Sequence, residues 1–174
     1  MPYFYSDVPV YTYTGIGTVT EGIFISNWQD EKRVDRVMVN GIKDGQGREK
    51  FDFMQLAHLW VKSPVRFEVP EVKILKPALG TFEGAALKYH ALIKHNNRWI
   101  LTDSLKHGFE FEWNLSRVDR FEKPVSMERF ATGNSVVLNV PKDPVMYRIY
   151  LYVIKEGKVL KIVKSKLNTP LIVQ

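Results

Sequence analysis

Residues Met146 to Val173 read MYRIYLYVIKEGKVLKIVKSKLNTPLIV, and their opening strand decides how the chain folds. Side chains of an extended chain alternate between its two faces. Tyr147, Ile149, Leu151 and Val153 therefore share one side, while Arg148, Tyr150 and Tyr152 share the other. A strand half-buried in an antiparallel sheet needs only one apolar face. The first set supplies it and predicts a sheet facing a core. The second set puts aromatic rings where solvent should be, so that face has to be covered or used.

Working outward, the lysine-rich run KEGKVLKIVKSK, Lys155 to Lys166, alternates cations with Val159, Leu160, Ile162 and Val163. This is the pattern of an edge strand guarded by lysine rather than of a nucleic-acid site. Upstream, VRFEVPEVKIL, ALKYHALIK, RWILT, FEFEWNL and SVVLNV read as further strands, and PLIV follows near the end. Between them stand turn residues such as Gly80, Asn96 with Asn97, Gly108, Gly133, Pro141 and Gly157. Many short strands so punctuated predict an all-β fold, an antiparallel Ig-like β-sandwich. Toward the N-terminus, Val8 to Thr14, Gly22 to Trp28 and Arg33 to Val39 also read as strands, the last running into an Asn40-Gly41 turn. From Phe51 to Lys62 the period changes: Phe53, Leu56, Ala57 and Trp60 recur at helical spacing, Asp52 caps the start and Ser63-Pro64 ends it. The expected organisation is an N-terminal β extension with one short helix over residues 1–63, and the sandwich over 64–174.

Composition agrees with an ordered domain. The chain has 174 residues, 45% of them hydrophobic, and a net charge of +6 from 25 Lys and Arg against 19 Asp and Glu. Interleaving of the two signs along the chain argues against nucleic acid as the partner. There is no cysteine, which excludes disulfides, thiolate metal sites and cysteine nucleophiles. The N-terminal MPYFYSDVPV carries neither a basic nor an apolar signal region, and no run approaches the roughly 20 apolar residues of a membrane span. A soluble chain without membrane insertion is expected, extracellular only as part of a longer exported protein.

The run GNSVVLNVP from Gly133 to Pro141, PVMYRIYLYV from Pro144 to Val153, the turn at Gly157 and NTPLIV from Asn168 to Val173 together resemble the closing strands of Ig-like, PKD-like domains. More specifically, they are similar to the β-sandwich accessory domain that ends many bacterial glycoside hydrolases. ISNW at Ile25 to Trp28, VDRVMVNG at Val34 to Gly41, LKY at Leu87 to Tyr89 and FEW at Phe111 to Trp113 stand in the order such a domain requires. The resemblance implies a non-catalytic module that assists polysaccharide processing by binding glycan or bracing a catalytic domain. In such a sandwich Tyr147 would turn a corner, its ring buried and its hydroxyl bonded to backbone, and Trp113 would fill the opposing sheet.

Catalysis has little to stand on. None of the four histidines, His58, His90, His95 and His107, has a recognised metal-ligand spacing, and a hairpin gathering His95, Asp103 and His107 is explained equally well by solvated turns. Glu110 and Glu112 share a strand face at a separation glycosidases use, but alternating Phe and Glu is what a half-solvated strand shows. No catalytic residue, metal or cofactor is expected.

Binding is the remaining class. Tyr150 and Tyr152, with Arg148 beside them, could be covered by the aromatic N-terminal extension, by a neighbouring domain or subunit, or by stacked sugar rings, and packing is preferred over sugar. Trp99 follows the polar turn HNNR, so with Asn97 it forms a second candidate for ligand binding, although a Trp opening the strand WILT can also point inward. Two functions follow: the polysaccharide accessory module, or, alternatively, a structural protein of a phage virion or comparable assembly whose sandwich makes subunit contacts.

Overall fold

The computed structural model of the chain describes residues 27–51, 54, 69–77, 84–143 and 145–166. Within them the chain is mostly β, and its sheets are antiparallel. Strands β1 (Glu31–Lys32) and β2 (Val37–Met38) form a small ladder. The larger strands are β3 (Val72–Leu75), β4 (Ala86–His95), β5 (Arg98–Leu101), β6 (Glu110–Val118), β7 (Pro124–Thr132), β8 (Ser135–Asn139), β9 (Tyr147–Lys155) and β10 (Lys158–Lys166). They make two four-stranded sheets. One runs β10-β9-β6-β7; in the other, β4 pairs with β3 along one edge and with β5 and β8 along the opposite edge.

Alternation along each strand builds the core between these sheets. Leu87, Tyr89, Ala91 and Ile93 of β4, with Val136 and Leu138 of β8, meet Phe111 and Trp113 of β6 and the Tyr147, Ile149, Leu151 and Val153 row of β9. The two sheets thus enclose the core in a sandwich-like arrangement, with the β9 row on the core side as its period of two predicts. Each such aliphatic or aromatic side chain contributes about 1.5–3 kcal/mol by leaving water. Trp113 anchors the middle: it is completely buried, its ring lies 6.5 Å from Tyr89, and its Nε1 donates to the Gly133 carbonyl at 2.7 Å. That bond satisfies the one polar atom such a ring carries into a core.

Two details differ from the expected pattern. Trp113 does not face β9 from an opposing sheet, because β6 pairs directly with β9, Trp113 opposite Leu151. Tyr147 is buried in the core, but among the described residues its hydroxyl has no hydrogen-bond partner; burial, with the charge of Asp143, pushes that hydroxyl's pKa up. A strand absent from the sequence reading, β7, pairs along β6 from Glu112 to Val118. Register shifts opposite Trp113/Asn114 and Arg117/Val118 break its alternation, since bulges insert unpaired residues.

β10 is an edge strand, as its lysines suggested. A shift between Val159 and Lys161 resets its period, so Val159 and Ile162, three apart, both pack on the outer face of β9 while Val163 packs toward the core. Of the expected helix, Phe51 and Met54 alone are described, and Met54 N donates to Lys50 O at 3.3 Å, the i to i−4 spacing of a helical turn. The proposed strands Val8 to Thr14 and Gly22 to Trp28 fall outside the described residues but for Asn27 and Trp28, which lie outside any strand.

Candidate functional site

The outer face of the β10-β9-β6-β7 sheet carries Tyr150 and Tyr152, and it is closed. The two residues are 1% and 4% exposed and form a second apolar cluster with Ile154 and Val159, packed by Met127 and Ile162. Residues 29–50 reach this sheet through several contacts. Lys50 makes a parallel bridge with Val159, whose N–H donates to the Glu49 carbonyl at 2.9 Å. Glu49 also pairs with Lys158 at 3.0 Å. The Tyr152 hydroxyl donates to Met127 Sδ at 3.5 Å, and its pKa is pushed up by burial and by the nearby charges of Asp30 and Asp44. Neither ring offers a face on which a sugar could stack.

Beneath the cover lies an ionic network that sequence reasoning missed. Glu112, expected on a solvated face, is 3% exposed. Arg48 grips it in a fork, Nη1 to Oε2 at 3.0 Å and Nη2 to Oε1 at 3.1 Å, and donates from Nε to Asp44 Oδ2 at 2.5 Å. Asn114 and Arg129 donate to the same carboxylate at 3.3 Å. Burial alone would raise the Glu112 pKa, but the hydrogen bonds and charge of Arg48, with Asn114 and Arg129, outweigh it and hold the carboxyl below its ordinary value. Nearby, Lys50 Nζ donates to Asp30 Oδ1 at 2.6 Å and to the Val39 carbonyl at 3.0 Å. For Asp30 the balance is opposite: desolvation wins over Lys50 and the pKa rises. Gly41 permits the tight path of this segment, because a Cβ there would stand 2.3 Å from the Gln29 carbonyl carbon and 2.4 Å from Asp30 N.

Arg148 belongs to the closed face too, with Nη2 donating to Glu122 Oε2 at 2.5 Å. Asn97 and Trp99 lie on the other sheet. The five candidate binding residues therefore do not form one site. Asn97 sits with Asn96 in the two-residue turn joining β4 to β5, both with positive φ, 63° and 47°, a turn geometry that favours Asn and Gly. Of the histidines, His107 accepts a hydrogen bond from Phe109 N at Nδ1 (3.0 Å) and packs on the Phe109 and Phe111 rings, which accounts for it structurally. Among the described residues no cluster of three or more His, Asp or Glu side chains is arranged to hold a metal.

The second sheet presents an open outer face. Trp99 does not point inward: it pairs with Lys94, Ile100 takes the core side, and the indole is 39% exposed. Lys73 Nζ lies 4.2 Å from its ring centroid, a cation–π contact. On the same face Leu75, Leu101 and Val137 are exposed around a buried Leu92. Lys88 stands opposite Val137, and Lys94 pairs with Glu71 at 2.9 Å. Exposed aliphatic side chains on adjoining strands, with an aromatic among them, form the composition of an interaction surface.

Compared with known proteins, the chain matches no family model, no curated protein and no solved structure.

Proposed function

We propose that the chain is a non-catalytic, Ig-like accessory module of polysaccharide processing that works by bracing a neighbouring protein domain through the outer face of the β3-β4-β5-β8 sheet. One observation carries this choice over glycan binding: the Tyr150 and Tyr152 rings are sealed under the protein's own chain, while the exposed apolar side chains of the open sheet are mainly aliphatic. A glycan platform needs flat rings in a row. Here a single indole is exposed on the sheet, and a lysine ammonium sits over it. The sequence resemblance to the domain following glycoside hydrolase barrels supports the wider setting. Under the alternative, a virion or similar assembly protein, the same face would meet a second copy.

The test is affinity electrophoresis against a panel of plant, algal and microbial polysaccharides, run beside size-exclusion light scattering. No retardation and a monomer are expected. Retardation lost in Trp99→Ala would replace bracing with glycan binding, and self-association lost in the same variant would favour the assembly protein.

A further inference from the structure

We infer that the partner surface taken by the open face is an acidic, apolar protein surface; this rests on the bracing reading and adds the chemistry of the partner. The apolar part of the face, Leu75, Trp99, Leu101 and Val137, is exposed and shares one side of the adjoining strands with the buried Leu92. Its unpaired charges are of one sign. Lys73 and Lys88 make no ion pair among the described residues, and the carboxylate that reaches this side, Glu71, is engaged with Lys94. An apolar strip flanked by unneutralised cations is complementary to a strip flanked by carboxylates, which would pair the lysines while covering the leucines.

Charge also weighs against the other occupants. In a two-fold pair the patch meets itself, so a face with more lysines than carboxylates would be brought against an equal excess of positive charge, on a chain already carrying +6. An anionic glycan would satisfy the lysines but leave Leu75, Leu101 and Val137 against hydroxyls, and Lys73 occupies the indole where a sugar ring would stack. Size fits a domain contact. Strands β3, β4, β5 and β8, of four, ten, four and five residues at about 3.3 Å each and about 4.8 Å spacing, present roughly 360 Å², so the two sides of such a contact would bury about 700 Å², at the low end of what adjoining domains bury between them.

The experiment pans a display library of random peptides on the immobilised full chain, then measures the enriched peptides against wild type, Trp99→Ala and Lys88→Glu at low and high salt. Lys88 is exposed, so Lys88→Glu should match the wild-type thermal midpoint, whereas Trp99→Ala, which loses the Lys73 contact, should lower it by a few degrees and leave the chain folded. Enriched peptides rich in Asp or Glu beside Leu, Phe or Trp are expected, weakened about tenfold or more by each variant and weakened by salt. Peptides that depend on Trp99 but are neutral or basic, or are indifferent to Lys88→Glu, would overturn the acidic partner and leave bracing intact. Polygalacturonate retardation or self-association that depends on Trp99, without any Trp99-dependent peptide, would overturn both. Absence of all Trp99-dependent binding would overturn the partner assignment as well.

Discussion

At the scale of single residues, Glu112 is the most informative. Its carboxylate is buried yet held by two arginines and an asparagine, so its charge is worth more than its exposure suggests. Glu112→Gln keeps the shape and removes the charge. Because Arg48 retains Asp44, the loss should fall at the low end of a broken buried pair, about 2–3 kcal/mol at pH 7 by urea unfolding. The pH dependence has a definite sign. A carboxyl whose folded pKa lies below its ordinary 4.5 stabilises the fold above that pH, and the contribution disappears as pH falls through the folded value. Wild type and Glu112→Gln should therefore converge in stability as the solution is acidified below pH 4.5. Asp30 works in the opposite direction: its raised pKa makes ionisation a cost that appears as pH rises above 3.8. A difference between wild type and Glu112→Gln that stayed constant from neutral to acid pH would remove Glu112 from the network's titration.

At the scale of elements, turns and close approaches set what the strands can do. Glu156 and Gly157 form the two-residue turn from β9 to β10 with φ of 51° and 72°. A glutamate in the left-handed region is strained by about 1 kcal/mol, and Glu156→Gly should relieve it, raising stability by about 0.5 kcal/mol after the entropy of glycine is counted. Thermal unfolding decides this, and a lower midpoint would mean that the side chain has a compensating contact. Gly41 governs the covering segment. Its Cβ position overlaps the Gln29 and Asp30 backbone, which cannot swing away as a side chain could. Gly41→Ala should cost about 2 kcal/mol or more and raise amide exchange around Lys50 and Val159, where the segment joins the edge strand. Unchanged exchange there would show that the segment seats independently of Gly41.

At the scale of the whole molecule, one sheet face is closed by the chain itself and the other is left open. Closing the first face hides two tyrosines, an isoleucine and a valine that would otherwise form a single exposed patch. A chain lacking residues 1–50 should therefore self-associate on size-exclusion light scattering and bind a hydrophobic dye, whereas the full chain should do neither. A truncated chain that stays monomeric and dye-free would mean that residues outside 1–50 suffice to close the face. No helix among the described residues is long and apolar enough to cross a membrane.

The all-β class, the β9 core row, the lysine-guarded edge and the Asn96-Asn97 turn were legible in the sequence, because each depends on a period of two or on local backbone chemistry that neighbouring residues determine. Side-chain alternation also showed that Tyr150 and Tyr152 leave the core side and therefore need a cover. What alternation could not supply was the identity of that cover, the partner of Glu112, or the outward direction of Trp99. Glu112 and Arg48 stand 64 positions apart in the chain, and only the folded path brings them together. β7 escaped notice because its bulges erase the period, and β10 misaligns in the same way after Val159. Periodic pattern reports which face a residue takes, and tertiary structure decides what stands on the other side of that face.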